Sequence, residues 1–155
     1  MPLDLPNLRR LAASEPADLV AQQGALPPPH VAARSLSQLD AGVPAFWCVP
    51  FLVVERDSRE ILGGCTFKGE PIGGRVEIGY GVALSARRRG IATAAVSHLL
   101  RLAAASGLVR HVDAHILPGN IASTKVVSRL GFSPGERIVD QDGELVVHWE
   151  YPLAT

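Results

Sequence analysis

Three consecutive arginines precede a glycine at residues 87–90, and an apolar-periodic helix is predicted to begin directly after Gly90. The positive end of the helix dipole makes this an unfavourable place for cations unless an anion joins them. Arginine side chains beside a glycine that leaves backbone N–H groups open are typical of a polyanion site. The residues expected to form this site are Arg87, Arg88, Arg89, Gly90, Ile91, Ala92 and Thr93.

The phosphate-binding motifs that the chain lacks narrow the identity of this anion. No GxxxxGK[ST] sequence of a P-loop occurs, and no GxGxxG sequence follows the first strand of a βαβ unit. The common polyanion that remains is the pyrophosphate of coenzyme A. The sequence therefore favours a CoA site at residues 87–93, and an unrelated phosphate compound stays open as an alternative.

Glu77 is the candidate general base. It lies in a predicted strand with apolar neighbours, and a buried carboxylate is costly unless it is paired or hydrated. Desolvation is expected to raise its pKa toward a value useful for proton transfer near neutral pH. A structural salt bridge is the alternative role for this side chain.

The other reactive side chains are interpreted as structural. His111 and His115 lie four residues apart on one face of a predicted strand, but no carboxylate or cysteine spacing completes a metal site around them. They are expected to be ordinary polar positions, and no metal is predicted. Cys48 and Cys65 lack a CxxC spacing and are expected to be small core residues.

Short strands and helices must position these residues. Strict alternation from 75 to 84 places Val76, Ile78 and Tyr80 on one face of a strand and Glu77 on the other. The full pattern predicts helices over 16–23, 30–39, 90–107 and 120–130, and strands over 49–55, 61–68, 75–84, 111–117, 132–139 and 144–153. This order indicates a mixed α/β (α+β) domain, antiparallel early and with a helical crossover in the middle.

The composition restricts the class of protein. The chain has 155 residues, 47% of them hydrophobic and 19% charged, which predicts a single globular domain over 1–155. Its formal net charge is zero, whereas nucleic acids and anionic membranes require a basic excess, so neither is an expected partner. Residues 1–7 lack the pattern of a signal peptide, and no apolar run reaches the length of a membrane span. A cytoplasmic protein is expected.

Three segments together resemble the GNAT superfamily of acyl-CoA-dependent N-acetyltransferases. Residues 87–92 match its Q/R-x-x-G-x-G/A signature, and residues 120–132 are similar to a later GNAT helix that begins with Asn and ends in Leu-Gly-Phe. Residues 77–80, Glu-Ile-Gly-Tyr, resemble the branch that acetylates the N-termini of ribosomal proteins. The resemblance covers about 61–151, and the first fifty residues add little to it.

The resemblance implies a GNAT fold, in which about four helices flank a mixed, mostly antiparallel central sheet of about six to seven strands. Residues 1–50 would supply the acceptor-side helices, and residues 51–155 the acetyl-CoA-binding core. It also implies direct transfer of an acetyl group from acetyl-CoA, the co-substrate, to a primary amine in a ternary complex. The amine would belong to a small molecule or to a protein N-terminus, and homodimers are frequent in this fold.

The resemblance assigns several residues to the site. Asn120 would cap its helix and also contact the pantetheine arm. Lys125 would pair with a CoA phosphate or remain solvated. The backbone N–H of Val82, next to Ala83, would polarise the thioester carbonyl as an oxyanion donor. Glu77 would take the amine proton through a water molecule.

One departure from the family pattern concerns the general acid. Many relatives carry a tyrosine that protonates the leaving thiolate, and this chain has Val127 at that position. Ser123, in the first turn of the same helix, is the candidate proton donor or thiol ligand, although a serine there often bonds only to backbone. Tyr80 is a weaker substitute, since it lies on the strand face opposite Glu77. A CoA-binding sensor or interaction module without catalysis is therefore the alternative function.

Overall fold

A computed structural model describes residues 1–153 of the chain as four α-helices and six β-strands. The helices are α1 (Leu5–Ala12), α2 (Pro29–Asp40), α3 (Ile91–Ser106) and α4 (Ile121–Leu130). The strands are β1 (Phe51–Val54), β2 (Ile61–Phe67), β3 (Arg75–Val82), β4 (His111–Ile116), β5 (Ser133–Val139) and β6 (Leu145–Pro152). In this part of the chain, no helix is long and apolar enough to cross a membrane.

The strands form one sheet in the order β1-β2-β3-β4-β6-β5. β3 and β4 pair in parallel, and the other neighbouring strands pair antiparallel. A parallel pair needs a long crossover connection, which α3 supplies between β3 and β4. The predicted fold class is confirmed: a mixed, mostly antiparallel sheet, four helices and a helical crossover in the middle.

Two apolar clusters hold the helices on the sheet. The first packs α3 and α4 against β2 and β3, and its most buried members include Phe67, Ile78, Val96, Leu99 and Val127. The second packs α1 and α2 near the start of the sheet, and its members include Leu3, Leu8, Ala32, Leu52 and Ile61. Each buried Val, Leu, Ile or Phe side chain in these clusters contributes about 1.5–3 kcal/mol when it leaves water. Because successive strand residues point to opposite faces, Ile78 faces α3 and Glu77 faces the side of α2.

The predicted helix over 16–23 is wrong. This segment runs beside the start of β2, where the Ile61 N–H donates to the Val20 carbonyl at 2.9 Å and the Gln22 N–H donates to the Ile61 carbonyl at 3.0 Å. Its backbone groups are thus satisfied by β2 rather than by a helix. The first helix is α1, whose N-terminus is capped by the Asp4 side chain. The other predicted elements occur within two residues of their predicted ends.

β3 and β4 separate toward their C-terminal ends. Their pairing ends at Ile78 and Ala114, whereas β3 continues to Val82 and β4 to Ile116. β3 stays paired with β2 as far as Val82. One edge of the last residues of β3 therefore faces an opening in the sheet, and α3 and α4 begin just beyond the two separated strands.

Candidate active site

The loop before α3 exposes a row of backbone N–H groups. Gly90 is the N-cap of α3 in the left-handed conformation, with φ 74°, and it makes no side-chain cap bond. The first N–H groups of such a helix have no partner inside the helix. Arg88 is also left-handed, with φ 65°, which costs a non-glycine residue roughly 1–3 kcal/mol. Such a loop can form a concave nest of N–H groups, and its geometry is suited to a pyrophosphate.

The three arginine side chains of this loop are exposed but differ in their partners. Arg89 lies 3.9 Å from Glu55, measured from Nη2 to Oε2, and an exposed pair at this distance is weak. Within residues 1–153, neither Arg87 nor Arg88 forms an ion pair. The side chains of Arg87 and Arg88 are therefore available to a phosphate, whereas that of Arg89 must first leave Glu55.

The hydrogen-bond pattern of β3 distinguishes the two predicted residues at its end. The Ala83 N–H donates to the Leu62 carbonyl at 2.8 Å, so it is already engaged with β2. Val82 precedes Ala83 and lies opposite Gly63. Hydrogen-bonded and non-hydrogen-bonded pairs alternate along an antiparallel ladder, so the N–H groups of this pair point away from each other. The Val82 N–H thus points toward the opening between β3 and β4, as an oxyanion donor requires.

The start of α4 borders the same opening. Asn120 caps the helix as predicted, because its Oδ1 accepts a hydrogen bond from the Ser123 N–H at 3.1 Å. Its side-chain NH₂ group remains as a donor for a ligand. Lys125 is exposed and forms no ion pair within residues 1–153. Val127 is fully buried among core residues.

Tyr80 reaches the start of α4 from the face of β3 opposite Glu77. Its hydroxyl donates to the Ser123 carbonyl at 3.0 Å. Burial raises the pKa of Tyr80 above its ordinary value, so the phenol keeps its proton at neutral pH. The Tyr80 hydroxyl therefore lies beside the first turn of α4, the turn that contains Ser123.

Glu77 is held between two basic side chains. Lys68 Nζ lies 2.9 Å from Glu77 Oε2, and His115 Nδ1 lies 3.1 Å from the same oxygen. Burial acts to raise the pKa of Glu77, but Lys68 and His115 together lower it below its ordinary value. The predicted rise toward neutral pH is wrong, because the sequence did not reveal these two neighbours. Glu77 is a carboxylate at neutral pH and a weak base on its own.

His115 is a functional candidate that sequence reasoning missed. It lies on β4, where Asp113 pairs with Glu77 of β3. His115 is two residues further along β4, so its side chain points to the same face of the sheet as that of Asp113. Its ring stacks on His148, with centroids 5.0 Å apart. His115 and Glu77 thus form an imidazole–carboxylate pair, and the interpretation of His115 as an ordinary polar position overlooked this contact. The sequence showed which residues of each strand share a face, but it did not show how the two strands are paired.

A second imidazole–carboxylate pair lies beside the first. His148 Nε2 is 2.7 Å from Asp113 Oδ1, and Arg75 contacts both oxygens of Asp113, at 2.9 and 3.1 Å. Burial acts to raise the pKa of Asp113, but Arg75 and His148 lower it overall. Asp113, His148 and Glu150 have ligand atoms within 4.8 Å of one another. The Arg75 guanidinium already pairs with both carboxylates, so a cationic group occupies this cluster.

A cavity of about 340 Å³ lies between α2 and the sheet. Its sheet side is lined by Gly64, Thr66, Lys68, Gly79 and Gly81, and its other side by residues 24–28 together with His30, Val31 and Arg34. Lys68 connects the cavity to the Glu77 carboxylate. This cavity is suited to an acceptor, and Arg34 is a second residue that the sequence did not single out.

Comparison with known proteins identifies the family. Residues 2–133 match the family model described as the acetyltransferase (GNAT) domain. The chain belongs to this family, and the match begins well before residue 61, where the resemblance was expected to start. The chain is 31% identical over 102 residues to an uncharacterized N-acetyltransferase of Bacillus subtilis, YjdG. That alignment covers 65% of this chain and 58% of the relative, so the chain spans less than two thirds of it.

Solved structures share the fold. The ribosomal-protein-S5-alanine acetyltransferase of Vibrio fischeri aligns with a TM-score of 0.64 at 16% identity, over 80% of this chain and 69% of that chain. Mycobacterium smegmatis RimJ, solved with CoA-disulfide, aligns with a TM-score of 0.60 at 24% identity, over 79% of this chain and 58% of that chain. The first of these proteins is named as a ribosomal-protein acetyltransferase, and at these identities the likeness shows the shared fold.

Proposed function

We propose that the protein transfers the acetyl group of acetyl-CoA to the primary amine of an acceptor by direct attack in a ternary complex. The observation that carries this proposal is the opening between β3 and β4, with the N–H nest of α3 at its mouth and the Val82 N–H on its edge. Family membership supports the same donor.

Acetyl-CoA would enter through this opening. Its pyrophosphate accepts hydrogen bonds from the backbone amides of residues 89–93, and Arg87 and Arg88 offer charge to its phosphates. The pantetheine arm lies between the separated strands, where the Asn120 amide can donate to it. The thioester carbonyl then points at the Val82 N–H, which stabilises the oxyanion as the amine attacks.

Proton transfer would use both faces of β3. On one face, His115 accepts the amine proton through water, and the Glu77 carboxylate holds the imidazole and stabilises the imidazolium. The amine nitrogen bonds to the carbonyl carbon and the carbon–sulfur bond breaks. On the other face, Tyr80 or Ser123 donates a proton to the thiolate, so free CoA and an N-acetylated acceptor leave.

The decisive measurement is release of the CoA thiol over a panel of primary amines, with acetylated product identified by mass spectrometry. We expect amine-dependent release that falls in Glu77→Gln and His115→Asn, while His98→Asn on the exposed side of α3 retains activity. Amine-independent release in all variants would contradict the proposal.

Binding of acetyl-CoA without turnover is the second candidate, and the ion pair of Glu77 with Lys68 favours it. A thermal shift with acetyl-CoA, together with no acetylated product from any amine, would support this sensor function. Stabilisation by ATP or NAD but not by acetyl-CoA would contradict both candidates.

A further inference from the structure

We propose that the acceptor carries a carboxylate beside its primary amine, and that Arg34 binds this carboxylate in the cavity under α2. This inference rests on the proposed acetyl transfer and names the chemical class of its acceptor. It excludes a purely cationic acceptor such as a polyamine.

The position of Arg34 is fixed by its own helix. One turn further along α2, Gln38 Nε2 donates to the Lys68 carbonyl at 2.8 Å, which holds this face of α2 over β2. Residues four apart share one helix face, so Arg34 projects over the same side of the sheet. It lines the cavity and is partly buried.

Arg34 is a guanidinium whose charge the described protein does not neutralise. No acidic side chain within residues 1–153 lies within 4.0 Å of it. Removing a charged group from water is unfavourable unless a counter-ion joins it. The planar fork of arginine donors matches a carboxylate, which can accept two parallel hydrogen bonds.

The other charges around the cavity define the orientation of the acceptor. Lys68 is already paired with Glu77, and Asp142 is exposed where it lines the cavity. The amine of the acceptor is expected toward Lys68, where the cavity approaches Glu77 and His115, and its carboxylate toward Arg34. An acceptor with several cations would instead bring positive charge beside Arg34, which is unfavourable.

Three glycines, which have no side chains, line the sheet side of the cavity. Gly64, Gly79 and Gly81 line it, and a Cβ added at Gly81 would meet no atom within 4 Å. The φ angle of Gly81 is outside the left-handed region, so alanine is tolerated there and its methyl group enters the cavity. The volume of about 340 Å³ is at the low end for small-molecule sites, which suits an amino acid or a short peptide.

The test compares amine acceptors that carry either a carboxylate or its neutral amide. Amino acids and Gly-X dipeptides are assayed as free acids and as C-terminal amides, by thiol release and by calorimetric titration into the CoA complex. We expect kcat/KM at least about tenfold higher for the acid than for the amide, since a charged hydrogen bond contributes about 1.5–3 kcal/mol. Arg34→Gln should reduce this preference to about threefold or less, Arg34→Lys should retain part of it, and Arg9→Gln on exposed α1 should leave it unchanged.

The Gly81→Ala variant provides an independent check of the location. It should raise the KM of the acceptor about fivefold or more while leaving the affinity for acetyl-CoA unchanged. Equal rates with acids and amides, or an acid preference that survives Arg34→Gln, would overturn this inference and leave acetyl transfer intact. Acid-selective binding that Arg34→Gln abolishes, with no acetylated product, would instead overturn the proposed transfer and keep the anion subsite.

Discussion

Either member of the His115–Glu77 pair could act as the general base, and the effects of mutating each residue distinguish the two possibilities. If Glu77 itself accepts the proton, Glu77→Gln should reduce kcat/KM at least as much as His115→Asn does. If His115 accepts the proton and the Glu77 carboxylate only holds the imidazole, His115→Asn should reduce kcat/KM more. We expect the second order of effects.

The magnitude for Glu77→Gln follows from its contact with His115. At 3.1 Å and an effective dielectric constant of about 20, the attraction between a carboxylate and an imidazolium is about 5 kcal/mol. The side chains are 33% and 22% exposed, so solvent screens this attraction. A value of about 1.5–3 kcal/mol, as for other charged hydrogen bonds, predicts a loss of about 10- to 100-fold in kcat/KM. His115→Asn removes the base and should cost about 100-fold or more.

The assay is thiol release at saturating acetyl-CoA from pH 5 to 9, with acceptors whose amines differ in pKa. This series is needed because the amine must also lose its proton, and its own titration moves with the acceptor. A limb that stays fixed across acceptors belongs to the enzyme, and His115→Asn should remove it. A limb that moves with every acceptor and persists in His115→Asn would refute the role of His115.

Three further outcomes are expected. Arg87→Ala should raise the KM for acetyl-CoA about three- to tenfold with little change in kcat, more strongly at low salt, while Arg101→Ala on α3 should not. Tyr80→Phe should lower kcat about tenfold or more if its phenol protonates the thiolate; an unchanged kcat would assign that step to Ser123 or water. Burial acts to raise the pKa values of Glu77 and Asp113, but their basic partners lower them overall. The two carboxylates therefore stabilise the folded state above about pH 4, and this stabilisation is lost as the pH falls through the lowered pKa values. Acid titration of the folded state by circular dichroism should show this loss, and stability that is level from pH 6 to 2 would contradict it.

The sequence was most informative where function depends on consecutive residues. The arginine loop, the first turn of α3 and the Asn120 cap are local features, because a helix start is determined by the residues that form it. The strand alternation around Glu77 was equally readable, and the helix predicted between β3 and β4 indicated the crossover in the middle of the sheet. These features were sufficient to predict the fold class.

Features that depend on the register between distant strands were not predictable in the same way. The pKa of Glu77 is set by Lys68 from β2 and His115 from β4, and no spacing along one strand contains that information. The failed helix over 16–23 has the same cause, because its backbone hydrogen bonds go to Ile61, about forty residues away. For the pKa of Glu77 and for residues 16–23 alike, contacts with distant segments outweighed what the local sequence indicated.

The geometry of β3 explains why one strand contributes so much of the candidate site. A strand presents its side chains alternately to two faces, so Glu77 contacts His115 on the side of α2 while Tyr80 contacts α4 on the other. Its backbone gives a third direction, because β4 departs after Ile78 and leaves the Val82 N–H facing the opening. In the proposed mechanism, the carboxylate that holds the base, a candidate acid and the oxyanion donor thus reach the site from three directions and lie within six residues of one strand. A single-residue slip of β3 against its neighbours would move each of its side chains to the opposite face of the sheet. Glu77 and Tyr80 would then lose their contacts with His115 and α4, so the pairing of β3 with β2 is as necessary for the proposed chemistry as the groups themselves.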